Sequence, residues 1–300
     1  MISALAPVFA AILLGYALSR FRFPGDGFWP QAERITYFVL FPALLVNKLS
    51  TATFDAETSA MAMALGGTIV LTALGLLLLR RRLPFDNPAF SSIFQGAIRV
   101  NTYVGLAGAA AMFGDQGIAL SAVALLVIVP LNNLLCVPVL ARYGSKGNGA
   151  GMGLLLELMR NPLLLGCVAG FMLNASNLPL PEAFHETLAV IGRAALPMGL
   201  LAVGAGLKPG GISQRLPAIA VSSLFKLVGY PLLALMLCTL LGVDGPALTV
   251  VVLFSALPTA VSSYILARQM GGDTTLMATI ITVQTVASAL TIPLFIGLAH

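Results

Sequence analysis

The sequence predicts an all-α polytopic membrane protein, with ten transmembrane helices arranged as two inverted five-helix repeats, and three observations predict it. The 300 residues are 58% hydrophobic and 9% charged, with a mean hydropathy of +0.97, whereas soluble domains carry roughly 25% charged residues. Ten apolar runs approach the roughly 20 residues that a helix needs to cross a bilayer. Five proline or glycine pairs also recur at one spacing: Pro7 with Pro162, Gly15 with Gly170, Pro24 with Pro179, Pro42 with Pro197 and Pro138 with Pro293 are each 155 positions apart (162 − 7 = 155). That spacing sets a first repeat over residues 1–145 and a second over 150–300 of a single transmembrane domain. Five helices in each half reverse the direction of the second half.

The runs fall at Ala4–Leu18, Ile35–Leu49, Met61–Leu79, Phe90–Met112, Ile118–Leu140, Leu163–Leu178, Leu188–Leu207, Leu216–Leu241, Leu248–Ala267 and Met277–Ala299. The first run does not read as a secretory signal, because its nearest positive charges, Arg20 and Arg22, follow it instead of preceding it. Basic residues gather after the odd-numbered runs: Arg20, Arg22 and Arg34; Arg80, Arg81 and Arg82; Arg142, Lys146 and Arg160; Lys208 and Arg215; Arg268. The other loops hold Lys48 as their one basic residue, beside Asp55, Glu57, Asp115, Glu182, Glu186 and Asp244. Positive charge marks the cytoplasmic side. The expectation is therefore a multi-pass protein of the cytoplasmic (inner) cell membrane with both termini outside. The net charge of +5 is then a topology signal and does not point to nucleic acid. Cys136, Cys167 and Cys238 lie in apolar runs, an odd number without metal spacing, and read as packing residues.

Two runs are interrupted. The fourth carries Arg99, Asn101 and Thr102 at its middle, then Gly105 and Gly108; the ninth carries Pro258 at its middle, followed by Thr259, Ser262 and Ser263. Unpaired peptide groups cost several kcal/mol in hydrocarbon, so broken helices persist there only inside protein or beside water. Paired breaks in matching positions of two halves point to the binding site of a secondary transporter. Proline lacks an amide hydrogen and frees carbonyls, and Asn101 offers both a donor and an acceptor. The helix N-termini that open at such breaks favour a carboxylate. Asn101 either contacts a ligand or ties two helices together by a hydrogen bond. Gly105, Thr259, Ser262 and Ser263 either let a ligand approach or serve helix packing.

Arg99, Arg193 and Lys226 lie inside predicted spans with no carboxylate near the centre of any span, and an anionic substrate would supply the missing charge. For Arg99 the alternatives are substrate contact, snorkelling toward the cytoplasm and capping of carbonyls. For Arg193 and Lys226 substrate contact is the lesser reading, and the Lys226 side chain has the inner headgroups as an alternative destination. Gln284, Asn132 and Asn133 are candidate partners for backbone groups freed at the breaks, with structural hydrogen bonding as their expected role.

The residues FPALLVNKL (Phe41–Leu49), NTYVGL (Asn101–Leu106), ALPMGLLAVGAGL (Ala195–Leu207) and LPTAVSSYILARQMGGD (Leu257–Asp273) resemble the auxin efflux carrier family, which includes the plant PIN carriers and bacterial dicarboxylate carriers. The resemblance covers essentially the whole chain, and its last motif is the most specific. It implies an architecture like that of bile-acid symporters and NhaA. The first, second, sixth and seventh helices would form a dimerising scaffold. Helices three to five and eight to ten would form a moving transport unit, with the fourth and ninth crossing at mid-membrane. Gly105 and Leu106 stand where PIN proteins have a proline, so the first crossover is expected to break on Asn and Gly.

The functional expectation is an alternating-access (elevator) carrier of a small organic anion, auxin-like or malate-like, with membrane lipid around it and no cofactor. Efflux driven by membrane potential needs no coupling ion, at about 2.3 kcal/mol per charge per 100 mV. The alternative is a sodium- or proton-coupled symporter. An intramembrane enzyme would need clustered His, Asp, Glu or Cys at depth. The only histidines are His185 and His300, and no HExxH, GxSxG or P-loop pattern occurs. A non-transporting sensor of the same fold would not require polar residues at both breaks.

Overall fold

The computed structural model describes residues 2–25, 27–52, 57–145, 161–176, 181–208 and 215–299. Asp55, Lys146, Arg160, Leu178, Pro179 and His300, and the junction between the predicted halves, lie outside these residues. Every regular element among the described residues is helical. In chain order they are α1 (Ile2–Arg20), α2 (Phe28–Ile35), a π turn (Thr36–Leu40), α3 (Phe41–Leu49), α4 (Glu57–Leu79), α5 (Asn87–Ile98), α6 (Thr102–Tyr143) and α7 (Pro162–Ser176). There follow α8 (Glu182–Arg193), α9 (Ala195–Ala205), α10 (Leu216–Leu224), a second π turn (Phe225–Gly229), α11 (Tyr230–Leu241), α12 (Gly245–Ala256), α13 (Ser262–Met270) and α14 (Thr274–Leu298).

The departures from straight helix have local causes. Each π turn ends two residues before a proline, Pro42 or Pro231. A proline ring clashes with the carbonyl four residues earlier, which here lies inside the turn, and the widened winding relieves it. The fourth and fifth predicted spans run into one assigned helix, α6, bent at Gly114, whose backbone (φ 55°, ψ −132°) suits glycine. The seventh predicted span is divided at Ala194, between α8 and α9.

The chain forms two compact units. The first comprises Met1–Thr58, Tyr103–Leu126 and Leu158–Gly206. In it α1 packs along α9, and α3 lies against α7 and α8. Glycines permit the close approach: a Cβ on Gly15 would collide with the backbone of Leu201, and one on Gly204 with the Ile12 carbonyl. A Cβ on Gly170 would lie 3.1 Å from the Val46 Cα. Phe41 stacks on Tyr103 with ring centroids 4.6 Å apart.

The second unit comprises Ser59–Thr102, Val127–Glu157 and Leu207–His300. One apolar cluster joins α4, α5 and the end of α6 through Leu76, Phe90, Phe94 and Leu140; another joins α5, α10 and α14 through Ile93, Ile219, Met277 and Ile280. Gly96 lets α5 approach α10 and α14, since a Cβ there would strike the Ser222 hydroxyl and the Ile280 side chain. At the end of α13, Asp273 accepts a hydrogen bond from Leu276 N at 3.0 Å, capping α14, and pairs with Arg215.

Among the described residues, five helical stretches are long and apolar enough to cross a membrane: Thr58–Arg82, Asn87–Tyr143, Glu182–Ala205, Leu216–Leu241 and Thr274–Leu298. Their outward faces are apolar: Leu78 is 81% exposed and Leu290 79%. Large aliphatic side chains covering whole helix faces fit a hydrocarbon surrounding. The chain is an integral, multi-pass helical membrane protein.

Candidate functional site

The second unit contains both helix interruptions. α5 ends at Ile98 because Arg99 turns extended (φ −72°, ψ 151°), and helix resumes at Thr102. α12 ends at Ala256 because Leu257, just before Pro258, is extended as well (φ −64°, ψ 150°), and helix resumes at Ser262. The residue preceding a proline is driven out of the helical region, so this second break is local in origin. The first break has no proline and falls at Arg99–Asn101; Gly105, expected to share in it, lies inside α6 instead.

The two breaks pair. Asn101 N donates to the Pro258 carbonyl at 2.8 Å, one rung of strand-like pairing between segments far apart in sequence. Asn101 and Thr259 are buried, 3% and 0% exposed. Thr259 N donates to Gln284 Oε1 at 3.0 Å, and the Thr259 hydroxyl lies 3.4 Å from the Gln95 carbonyl and 3.3 Å from the Ser263 hydroxyl. Gln284 Nε2 donates to the Gly96 carbonyl at 3.0 Å and to the Ser222 hydroxyl at 3.4 Å. One side chain from α14, Gln284, thus serves a freed donor at one break and a freed acceptor near the other. Such service is what makes broken backbone tolerable at depth.

Arg99 reaches two polar groups. Its guanidinium donates to Asn133 Oδ1 and to the Ser262 hydroxyl, each at 3.4 Å. It therefore ties α6 to the start of α13 and lies beside the crossover. These bonds are long, and Ser262 is exposed. Asn132 is buried, and its Oδ1 has no hydrogen-bond partner. Thr102 is half-buried at the first position of α6; Gly105 is buried in α6 within the first unit.

The other two cations divide. Arg193 is exposed at the junction of α8 and α9. Lys226 does not take the headgroup alternative: it is 0% exposed, in the π turn that precedes α11. Its Nζ has no hydrogen-bond partner and sits 3.8 Å from the Tyr230 ring centroid. Sequence reasoning also passed over Gln95. That side chain is wholly buried with neither amide atom hydrogen-bonded; the available signal was a lone amide within the apolar run SSIFQGAI.

No group of three or more His, Cys, Asp or Glu able to hold a metal ion occurs among the described residues.

A multi-pass helical protein with two mutually paired helix breaks in one unit belongs, by architecture, with membrane carriers. Residues 151–296 match the model of a family described as "Membrane transport protein". The chain is 27% identical, over 95% of its length and 93% of the relative's, to a Rhizobium meliloti (strain 1021) protein whose name proposes it as a malonate transporter. It is also 26% identical, over 64% of its length and 63% of the relative's, to an uncharacterized transporter of Methanocaldococcus jannaschii.

Proposed function

We propose that this protein is an alternating-access carrier of a small organic anion, a dicarboxylate of malonate's size, received at the crossover of the second unit. The observation that carries the reading is the Asn101–Pro258 pairing, which joins two interrupted helices and leaves polar groups at the break. Arg99 beside it gives a dicarboxylate a cationic partner, and its long bonds to Asn133 and Ser262 are ones an anion would readily replace. The name of the Rhizobium meliloti relative agrees with this chemistry.

The same reading takes the chain as ten spans in two inverted repeats in the cytoplasmic membrane, with the second unit as the moving part. The glycine packing supports the repeat: Gly15 meets Leu201 and Gly170 meets Val46, and both residues of the second pair differ from their counterparts by the 155-position spacing read from the prolines. An inside-negative potential drives a net negative charge outward, so export is the direction that needs no further energy source.

The test is flux of labelled malonate in liposomes under an imposed potential, for the wild type and for Asn101→Ala. Flux that follows the potential in the wild type and is lost in a well-folded Asn101→Ala protein supports the reading. Equal flux in the variant would remove the crossover from the mechanism.

A further inference from the structure

We propose that Lys226 is the residue through which a proton is coupled to the anion: its side chain binds one proton from solution when the anion occupies the crossover and releases it when the anion leaves. The inference rests on the organic-anion reading above and adds to it the site of a second ligand, the proton. The only bond made or broken is N–H.

Four observations converge. First, Lys226 has no route to water or headgroups, being fully buried with Nζ unpartnered. Second, the helix segments around it hold, among the described residues, no anion to balance a permanent charge. The helices packed against the π turn include α10, α11, α5, α12 and α14, and its Phe225 also packs on the apolar cluster of α4 and the end of α6. Of these α5, α10, α12 and α14 contain no titratable side chain within their bounds, and α11 contributes only Tyr230 and Cys238. Tyr230 interacts with the Cys136 thiol of α6, and Cys136 with the Arg99 guanidinium. An ammonium left there without a counter-charge bears the full cost of desolvation, and the Tyr230 ring offsets only a small part of it.

Third, the surroundings are not simply apolar. The Tyr230 hydroxyl and both amide atoms of Gln95 are buried without partners, on α11, which follows Lys226 in the chain, and on α5, which packs against its π turn. Native proteins rarely leave three such side chains orphaned in one unit unless an occupant completes them. Fourth, the site is wired to the crossover. Ser222, one helical turn before Lys226, accepts from Gln284, and Gln284 accepts from Thr259 beside Pro258. The Gln95 carbonyl faces the Thr259 hydroxyl. Negative charge arriving at the break stabilises an ammonium nearby, and linkage requires the ammonium to tighten the anion by the same factor.

The consequence is a change in the charge carried. A dicarboxylate dianion travelling with one proton moves one net negative charge, so potential still drives it outward, while the flux also responds to pH.

The experiment is calorimetric titration of the purified full chain with malonate at two pH values and in buffers of different ionisation enthalpy, for the wild type, Lys226→Met and Lys226→Arg. The expected wild-type result is uptake of about one proton per malonate and an affinity about tenfold weaker at about pH 8 than at about pH 7. Both variants should bind without proton uptake, the methionine being uncharged and the arginine permanently charged. Wild-type proton uptake persisting in either variant would overturn the proposal. Should malonate give no binding to the wild type, the substrate reading falls, and thermal unfolding of the ligand-free proteins still decides Lys226. A buried neutral lysine must take up a proton on unfolding, so the wild type gains stability relative to Lys226→Met as pH rises. A difference between the two proteins that does not change with pH would refute the coupling role.

Discussion

Replacing Gln284 by leucine isolates the part of the crossover that no substrate touches. Leucine has nearly the volume of glutamine, so packing against α5 and α10 is kept and only the polar atoms go. Three hydrogen bonds are lost: from Thr259 N, to the Gly96 carbonyl and to the Ser222 hydroxyl. Ser222 keeps its own bond to the Ile93 carbonyl at 3.2 Å, so its loss is minor. The two backbone groups have no such alternative. Thr259 lies outside any helix, and the Gly96 carbonyl belongs to the last turn of α5, where carbonyls lack intrahelical donors. A buried polar group left unsatisfied costs about 1–3 kcal/mol, which puts the damage at about 2–6 kcal/mol. At the lower bound the paired break becomes about 30-fold less populated, since each 1.4 kcal/mol is a factor of ten. The assay is malonate flux in liposomes beside the unfolding midpoint of the same preparation. Gln284→Leu should lower both; Gln284→Glu keeps the acceptor for Thr259 N and should fall between. A Gln284→Leu protein with wild-type flux and wild-type midpoint would refute the reasoning.

Three further outcomes follow from single contacts. Gly15→Leu forces a side chain into the Leu201 backbone and should abolish folded protein, read as loss of the monodisperse peak in size-exclusion chromatography. Asp273→Asn should retain most of the α14 cap while losing the pair with Arg215, and Asp273→Ala should lose both, costing about 1 kcal/mol more in unfolding free energy. Arg99→Gln should weaken malonate binding at least tenfold in calorimetry, a charge-assisted contact being worth about 1.5–3 kcal/mol, with the unfolding midpoint little changed because its bonds to Asn133 and Ser262 are long.

Residues 41–49, 101–106, 195–207 and 257–273 carried the reading a long way, and the reasons are local ones. Spanning length follows from hydropathy. The break at Pro258 follows from a missing amide hydrogen and from the restriction proline places on Leu257. Asn101, Thr102 and Gly105 mark a break because polar and flexible residues are costly in the middle of a lipid-exposed helix. The positions of both interruptions were therefore written in residue type and spacing. So was the membrane class.

What the chain in one dimension could not decide was which groups meet. Nothing in the sequence tells that Asn101 N would find the Pro258 carbonyl, or that one amide, Gln284, would serve Thr259 and Gly96 together. Arg99 had several open destinations, and the fold sends it to Asn133 and Ser262. Lys226 is the plainest case. A lysine within an apolar run can be read as a snorkelling side chain, because the four-carbon stem reaches toward water if the path is open. The path is closed only because α5, α12 and α14 wrap the π turn, and that closure is a property of packing between separate segments, one of which, α5, lies more than 100 residues away in sequence. Hydropathy and backbone propensity are sums over neighbours in the chain, so they determined where helices run and where they stop. Burial and partnership are sums over neighbours in space, and only the tertiary structure could decide those.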